Sequence, residues 1–210
     1  MEIESKLLQK LTEWQRQQNA PADIIRLHRD IFSLQYAAKR HIKGHVLAIE
    51  VIRERLEQGI ALQPFDELPF DWPVCKYLLQ QVVAIIGKQQ SITPKEVSRL
   101  NDIFSNDNAL KRGIENWYNN DLAVTKPDLQ LLAKVIKAGM WPFLSIQADI
   151  LSPKIEQAKW RRRYCPVCGG KPDFSFLSKE NGVRWLSCSR CDAEWLFQRM
   201  ECPCCGTQDQ

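Results

Sequence analysis

The chain has 210 residues, which is enough for one helical domain of about 150 residues and a small second module. Its formal net charge of +4 is modest, so composition alone gives no strong attraction to nucleic acid. No apolar run approaches the length of a membrane span, and residues 1–18 are too polar for a signal peptide, so we expect a cytoplasmic protein without a membrane span.

Apolar periodicity predicts that the chain begins with helices. The first covers residues 3–18, and the second is one long helix from Pro21 to Gln58 that Gly59 ends. Gln35 falls on the apolar seam of the long helix, where a polar side chain usually makes a hydrogen bond within the bundle. The residues expected on the two apolar faces are Ile3, Leu7, Leu11 and Trp14 in the first helix and Ile24, Ile31, Ala38, Ile42, Ile49, Ile52 and Leu56 in the second.

A proline-rich loop over residues 60–73 leads to a nearly all-apolar helix from Pro73 to Gly87, which we expect at the centre of the bundle with Cys75 buried. Thr93 to Glu96 is a capping box that opens the next helix. Further helices are predicted around residues 110–117, from Pro127 to a stop at Gly139, and over residues 142–160 with a break at Ser152-Pro153.

The predicted helices carry no motif of a known catalytic site. A Gly-rich phosphate loop, a nucleophile elbow and an H-E-x-x-H pair are all absent from the sequence. We therefore predict that the protein is not an enzyme.

Seven of the eight cysteines lie between residue 165 and the end of the sequence. Cys165 and Cys168 form one C-x-x-C pair, Cys188 and Cys191 form a second, and nineteen residues separate the pairs. This spacing is typical of a site in which four thiolates surround one metal ion, Fe or Zn, with no open coordination position. Two disulfides would need an oxidising compartment, and a thioredoxin-like redox pair would need a surrounding strand and helix, so both alternatives are less favoured.

The residues between the pairs predict a small antiparallel ribbon. Residues 171–177 alternate, Asn181-Gly182 is a hairpin turn signal, residues 183–187 return, and residues 194–200 provide a third strand. The hairpin brings the two cysteine pairs together. So small a unit has little core of its own, and we expect metal binding and folding to be coupled.

A third C-P-x-C-G turn follows at residues 202–206, with Cys202 and Cys205 as candidate ligands of an incomplete second site. Three interpretations are open: the start of a second ribbon, a site shared between the subunits of a homo-oligomer, or a surface turn without metal. Arg161, Arg162 and Arg163 join the helices to the ribbon. Such a basic run suits phosphate contacts, yet the near-balance of charge over the whole chain makes nucleic acid the less favoured partner.

Residues 160–206 resemble the formate dehydrogenase accessory proteins of bacteria. The similarity comprises the CPVCG turn with a nearby Pro172, a Gly-x-Arg-aromatic-Leu-x-Cys-x-x-Cys segment, and Glu-Trp before an Arg and a new cysteine pair. The matching positions are Cys165 to Gly169, Gly182, Arg184, Trp185, Leu186, Cys188, Cys191, Glu194, Trp195, Arg199, Cys202 and Cys205. Members usually continue into a second pair of C-x-x-C turns, whereas this sequence stops after the first half of that site.

The resemblance implies a cytoplasmic accessory protein, or chaperone, that binds the catalytic subunit of a respiratory formate dehydrogenase before export. It also implies rubredoxin-like four-cysteine sites able to hold iron. We expect a mainly α protein made of an all-α domain (1–160), a four-cysteine metal ribbon (161–201) and an incomplete third turn (202–210). Arg184, Arg190 and Arg161 to Arg163 are candidate contacts for an acidic client surface. A nucleic-acid-binding zinc ribbon and a rubredoxin-type electron carrier are the alternative functions.

Overall fold

The computed structural model describes residues 2–16, 21–89, 92–120 and 126–208, and the side chains of residues 2–5 are outside that description. Helices α1 to α7 are Glu2–Gln15, Ala22–Lys39, Ile49–Gln58, Trp72–Ile86, Pro94–Ser105, Asp107–Tyr118 and Pro127–Leu151. Strands β1 to β3 are Pro172–Leu177, Arg184–Cys188 and Glu194–Phe197. The prediction of a mainly α chain with a small β ribbon after the helices is confirmed.

The described residues divide into two compact units. The helical unit comprises Met1–Ile42 and Phe70–Pro142, and the ribbon unit comprises Lys43–Pro69 and Phe143–Gln210. The predicted division into residues 1–160, 161–201 and 202–210 stays a prediction. The ribbon unit contains α3 and the last part of α7 in addition to the sheet.

Helix α4 lies in the core of the helical unit, as expected, and packs against α2 and α5. The carboxylate of Asp71 accepts a hydrogen bond from the Val74 backbone at 3.1 Å, which caps the start of the helix. Cys75 is completely buried, and desolvation raises the pKa of its thiol, so it behaves as a small apolar residue. The predicted capping box is also present: Thr93 and Glu96 exchange hydrogen bonds at the start of α5.

The prediction of one helix from Pro21 to Gln58 is wrong. Helix α2 ends at Lys39, and the chain is non-helical until α3 begins at Ile49. The side-chain amide of Gln147 is oriented so that its nitrogen donates to the His45 carbonyl at 3.0 Å. Its oxygen accepts from the His45 N–H at 2.8 Å. A Cβ on Gly44 would overlap the terminal methyl group of Ile150, so a larger residue here would require that side chain to move. The long-range pairing supplies backbone hydrogen bonds that the helix would otherwise have made.

The apolar faces predicted for the first helices are only partly correct. Leu11, Ile52 and Leu56 are buried, but Trp14 is 54 % exposed, and so is Ile24. Ile25 is buried in place of its neighbour.

Helix α7 is continuous through Gly139 and Pro142, so the predicted stop and restart are wrong. A Cβ on Gly139 would lie 2.6 Å from Leu79 Cδ2, which shows that this glycine permits a close approach of α4 rather than ending α7. The predicted break at Ser152-Pro153 is confirmed: α7 ends at Leu151 and a 3-10 turn follows over Ser152–Lys154.

One helical segment, Pro127–Lys154, is long and apolar enough by length and composition to cross a bilayer. Half of its most apolar window is buried by the protein's own residues. The core helix of a globular domain passes the same test, so the segment is weak evidence for a span.

The three strands form an antiparallel sheet in the order β1-β2-β3, as the hairpin pattern predicts. Gly182 has a φ of +65°, which favours glycine at the turn between β1 and β2. A register irregularity between Pro172 and Phe174 marks the end of β1 that follows the first cysteine pair.

Candidate metal centre

The first cysteine turn is a tight loop closed by two backbone hydrogen bonds. Cys165 N donates to the Gly170 carbonyl at 2.8 Å, and Gly169 N donates to the Cys165 carbonyl at 3.0 Å. The fold of this loop requires a φ of +68° at Gly169, a conformation that is inexpensive only for glycine. The Val167 N–H points at Cys165 Sγ at 3.4 Å, so the loop places a backbone donor against a sulfur ligand.

The second turn repeats this geometry without a glycine. Cys188 N donates to the Ala193 carbonyl at 2.9 Å, and the Arg190 N–H points at Cys188 Sγ at 3.4 Å. Asp192 occupies the position of Gly169 and has a φ of +60°. Aspartate is among the residues that tolerate this left-handed conformation, so both pairs reach the same local structure.

The four predicted ligand sulfurs meet at one point. The Sγ atoms of Cys165, Cys168, Cys188 and Cys191 all lie within 4.8 Å of one another. Two of the distances are 3.6 Å, between Cys165 and Cys191, and 3.4 Å, between Cys168 and Cys188. A tetrahedral ion with metal–sulfur bonds of about 2.3 Å places its sulfurs about 3.8 Å apart, whereas a disulfide needs about 2.05 Å. The cluster therefore fits one tetrahedrally bound metal ion, and the cysteines are not in disulfides.

Burial makes this cluster dependent on a cation. The four cysteines are between 0 and 3 % exposed. Desolvation raises the pKa of Cys165 and of Cys191, whereas hydrogen bonds from the neighbouring thiols, that of Cys165 first, lower the pKa of Cys188. Protonated neighbours can thus stabilise one thiolate, but four buried negative charges need a positive ion among them.

A segment far away in the sequence supports the first turn. Leu62 N and Gln63 N donate to the carbonyls of Pro166 and Val167 at 2.8 and 2.9 Å. The Tyr164 hydroxyl donates to the Gly59 carbonyl at 2.7 Å. Sequence reasoning missed this contact, because a proline-rich loop carries no periodic pattern that shows where it pairs. These hydrogen bonds fix the position of the loop that carries the first ligand pair.

Tryptophan side chains fix the chain that enters the ribbon. Trp195 and Trp160 are both completely buried. Their indole N–H groups donate to the carbonyls of Arg162 and Tyr164, each at 2.9 Å. Trp195 thus packs inside the ribbon, whereas Trp185 is partly exposed.

The arginines proposed as client contacts have different environments. Arg190 is only 6 % exposed, and its side chain lies beside Gly170 near Cys188 Sγ, so its expected role at the surface is wrong. Arg184 donates to the Glu201 carbonyl at 2.8 Å and lies over the Phe197 ring. Arg161, Arg162 and Arg163 are exposed, with the Arg162 guanidinium over Trp160. For these other arginines the client role stays a prediction.

The third turn has the backbone of the first. Cys202 N donates to the Thr207 carbonyl at 2.9 Å, Gly206 N donates to the Cys202 carbonyl at 2.8 Å, and Gly206 has a φ of +79°. Cys202 is partly buried and Cys205 is exposed. A hydrogen bond with the Thr207 hydroxyl is the main cause that lowers the pKa of Cys205 to about 7. Cys202 and Cys205 as an incomplete second site stay a prediction.

The segment that contains the four cysteines matches a known protein family. The sequence pattern of the family described as FdhE, central domain, matches residues 164–199. A relative in Aquifex aeolicus, called Protein FdhE homolog, is 45 % identical over 168 residues, which are 74 % of this chain and 52 % of the relative. A Yersinia pestis protein of the same name is 41 % identical over 179 residues, covering 80 % of this chain and 55 % of the relative.

The chain thus spans about half the length of these curated relatives. The crystal structure of the FdhE protein from Pseudomonas aeruginosa resembles the fold with a TM-score of 0.62 and 20 % sequence identity. That match covers 99 % of this chain and 70 % of the solved one. At this identity the likeness concerns the fold alone.

Proposed function

Because this chain belongs to the FdhE family, we propose that it is an accessory protein for a respiratory formate dehydrogenase. It binds the catalytic subunit of that enzyme in the cytoplasm, during maturation and before export. The observation that carries the proposal is that residues 164–199, which match the family's central domain, contain the whole four-cysteine cluster. The chain to which this proposal applies spans about half the length of its curated relatives.

The cluster is the metal centre of this accessory protein. Cys165, Cys168, Cys188 and Cys191 hold one Fe or Zn ion, since both metals accept four thiolates in a tetrahedron. With all four positions taken by sulfur, the ion has no site for substrate, and its contribution is to fix the ribbon or to carry an electron. A closed and buried centre of this kind supports a docking body rather than an enzyme.

The two cysteine turns determine how the docking body keeps its shape. They meet only if the hairpin of β1 and β2 returns in its observed register, and residues 62 and 63 hydrogen-bond to the first of them. Loss of one ligand therefore releases both turns and the segment bound to them. We expect client binding to depend on the metal through this loss of structure.

The proposal is tested by titrating the purified, immature catalytic subunit into this protein and measuring heat or fluorescence anisotropy. The unaltered chain binds, and Cys188→Ser loses stoichiometric metal together with client binding. Cys204→Ser is the matched control, because Cys204 is an exposed thiol outside the cluster and its loss leaves both properties unchanged. A Cys188→Ser protein without metal but with full client affinity would refute the coupling, and no binding by the unaltered chain would refute the function.

A further inference from the structure

The outward face of the three-stranded sheet is apolar. The strand register places Phe176, Trp185 and Leu196 in one row across β1, β2 and β3. Phe174 lies in the next row on the same face, two residues along β1, because side chains alternate between the faces of a strand. Phe174 is 70 % exposed, Phe176 is 38 % exposed, and Trp185 and Leu196 are partly exposed. We call these four residues the outward face.

The opposite face of the sheet already supplies the core of the ribbon. Leu186, Trp195 and Phe197 are at most 1 % exposed there. An antiparallel sheet with one face buried normally has polar side chains on the other. Single exposed apolar residues need no explanation, but neighbouring aromatic side chains across paired strands form a continuous patch, which usually marks an interaction site.

An unpaired carboxylate borders this patch. Glu194 is exposed and lies in the same row as Ser187 and Phe174. Within the described residues it forms no ion pair with a lysine or arginine. The Glu194 carboxylate is therefore a negative charge at the edge of the outward face, without a lysine or arginine partner among the described residues. A partner with a basic group at this place would complement it.

We propose that the outward face is the docking site for a segment of the client that carries large apolar side chains next to a lysine or arginine. The apolar side chains cover Phe174, Phe176 and Trp185, and the basic residue pairs with Glu194. This inference rests on the proposed function, since the client is the formate dehydrogenase catalytic subunit. Buried aromatic side chains contribute much of the energy of most interfaces, so Phe174, Phe176 and Trp185 carry most of the affinity.

The test measures the affinity of the purified, immature catalytic subunit for four variants of the full chain. Phe174→Ser with Phe176→Ser weakens binding at least tenfold, and so does Glu194→Lys, while Glu194→Gln weakens it less. Met200→Ser is the matched control: Met200 is 59 % exposed in the same unit but outside the face, and its loss leaves affinity unchanged. Metal content and circular dichroism confirm that each variant is folded.

The outcomes separate this surface from the function on which it rests. If the unaltered chain binds and the double phenylalanine variant binds equally well, the docking site is wrong and the function stands. If Glu194→Lys binds more tightly than the unaltered chain, the partner segment is acidic and the proposed chemistry is wrong. If the double variant only converts a dimer of this chain to a monomer, by light scattering, the face joins two copies and the proposal is overturned.

Discussion

Gln35 compensates for a proline inside a helix. Pro142 has no N–H to donate to the carbonyl four residues earlier in α7, which is that of Ala138. The Gln35 side chain donates to this carbonyl at 2.8 Å, and Gln35 is only 6 % exposed. The amide thereby replaces the missing backbone donor and lets α7 continue where the sequence predicts a break.

We expect Gln35→Leu to destabilise the helical unit by about 1–3 kcal/mol, because it leaves the partly buried Ala138 carbonyl without its donor. Pro142→Ala restores a backbone N–H, so the same Gln35→Leu change costs less than about 1 kcal/mol in that background. Urea unfolding of the four proteins, followed by circular dichroism, measures the coupling. Equal costs of Gln35→Leu in both backgrounds would contradict this account.

At the scale of an element, the glycines of the helices have different roles. A Cβ on Gly139 of α7 would come within 3.0 Å of two atoms of Leu79, whose side chain is completely buried. A Cβ on Gly113 of α6 would meet only Ile136 Cδ1, at 3.9 Å. The first position needs glycine for packing, and the second does not.

Alanine should therefore have opposite effects at these two positions. Gly139→Ala destabilises the protein by about 1–3 kcal/mol through overpacking, which outweighs the helix propensity that alanine gains. Gly113→Ala is the matched control and stabilises by up to about 1 kcal/mol. The urea concentration at the midpoint of unfolding measures both effects. A higher midpoint for Gly139→Ala than for the unaltered protein would show that the close approach of α4 does not require glycine at this position.

Local chemistry explains which elements could be predicted. The cysteine turns and the Asn-Gly hairpin follow from residues adjacent in sequence, so their geometry and the meeting of the four sulfurs were predictable. The interruption after Lys39 depends on Gln147, and the continuity of α7 depends on Gln35 and Leu79. Gln147 and Gln35 lie about a hundred residues from the positions that they contact, and Leu79 lies about sixty residues from its contact. Local apolar periodicity gives no information about contacts at such separations.

At the scale of the whole molecule, the metal centre belongs to a larger body than the cysteine segment. Residues 43–69 and 143–160 cluster with the ribbon in one compact unit. The Tyr164 hydroxyl and the carbonyls of Pro166 and Val167 make hydrogen bonds to the loop after α3. We therefore expect metal binding to stabilise a unit that includes helical residues as well as the cysteine turns.

The central claim is that four thiolates surround one ion, and X-ray absorption at the metal edge tests it most directly. We predict one Zn or Fe per chain with four sulfur ligands, at about 2.3 Å for zinc, and loss of this signal in Cys188→Ser. A shell dominated by oxygen or nitrogen, or an unchanged signal and stoichiometry in Cys188→Ser, would contradict the account.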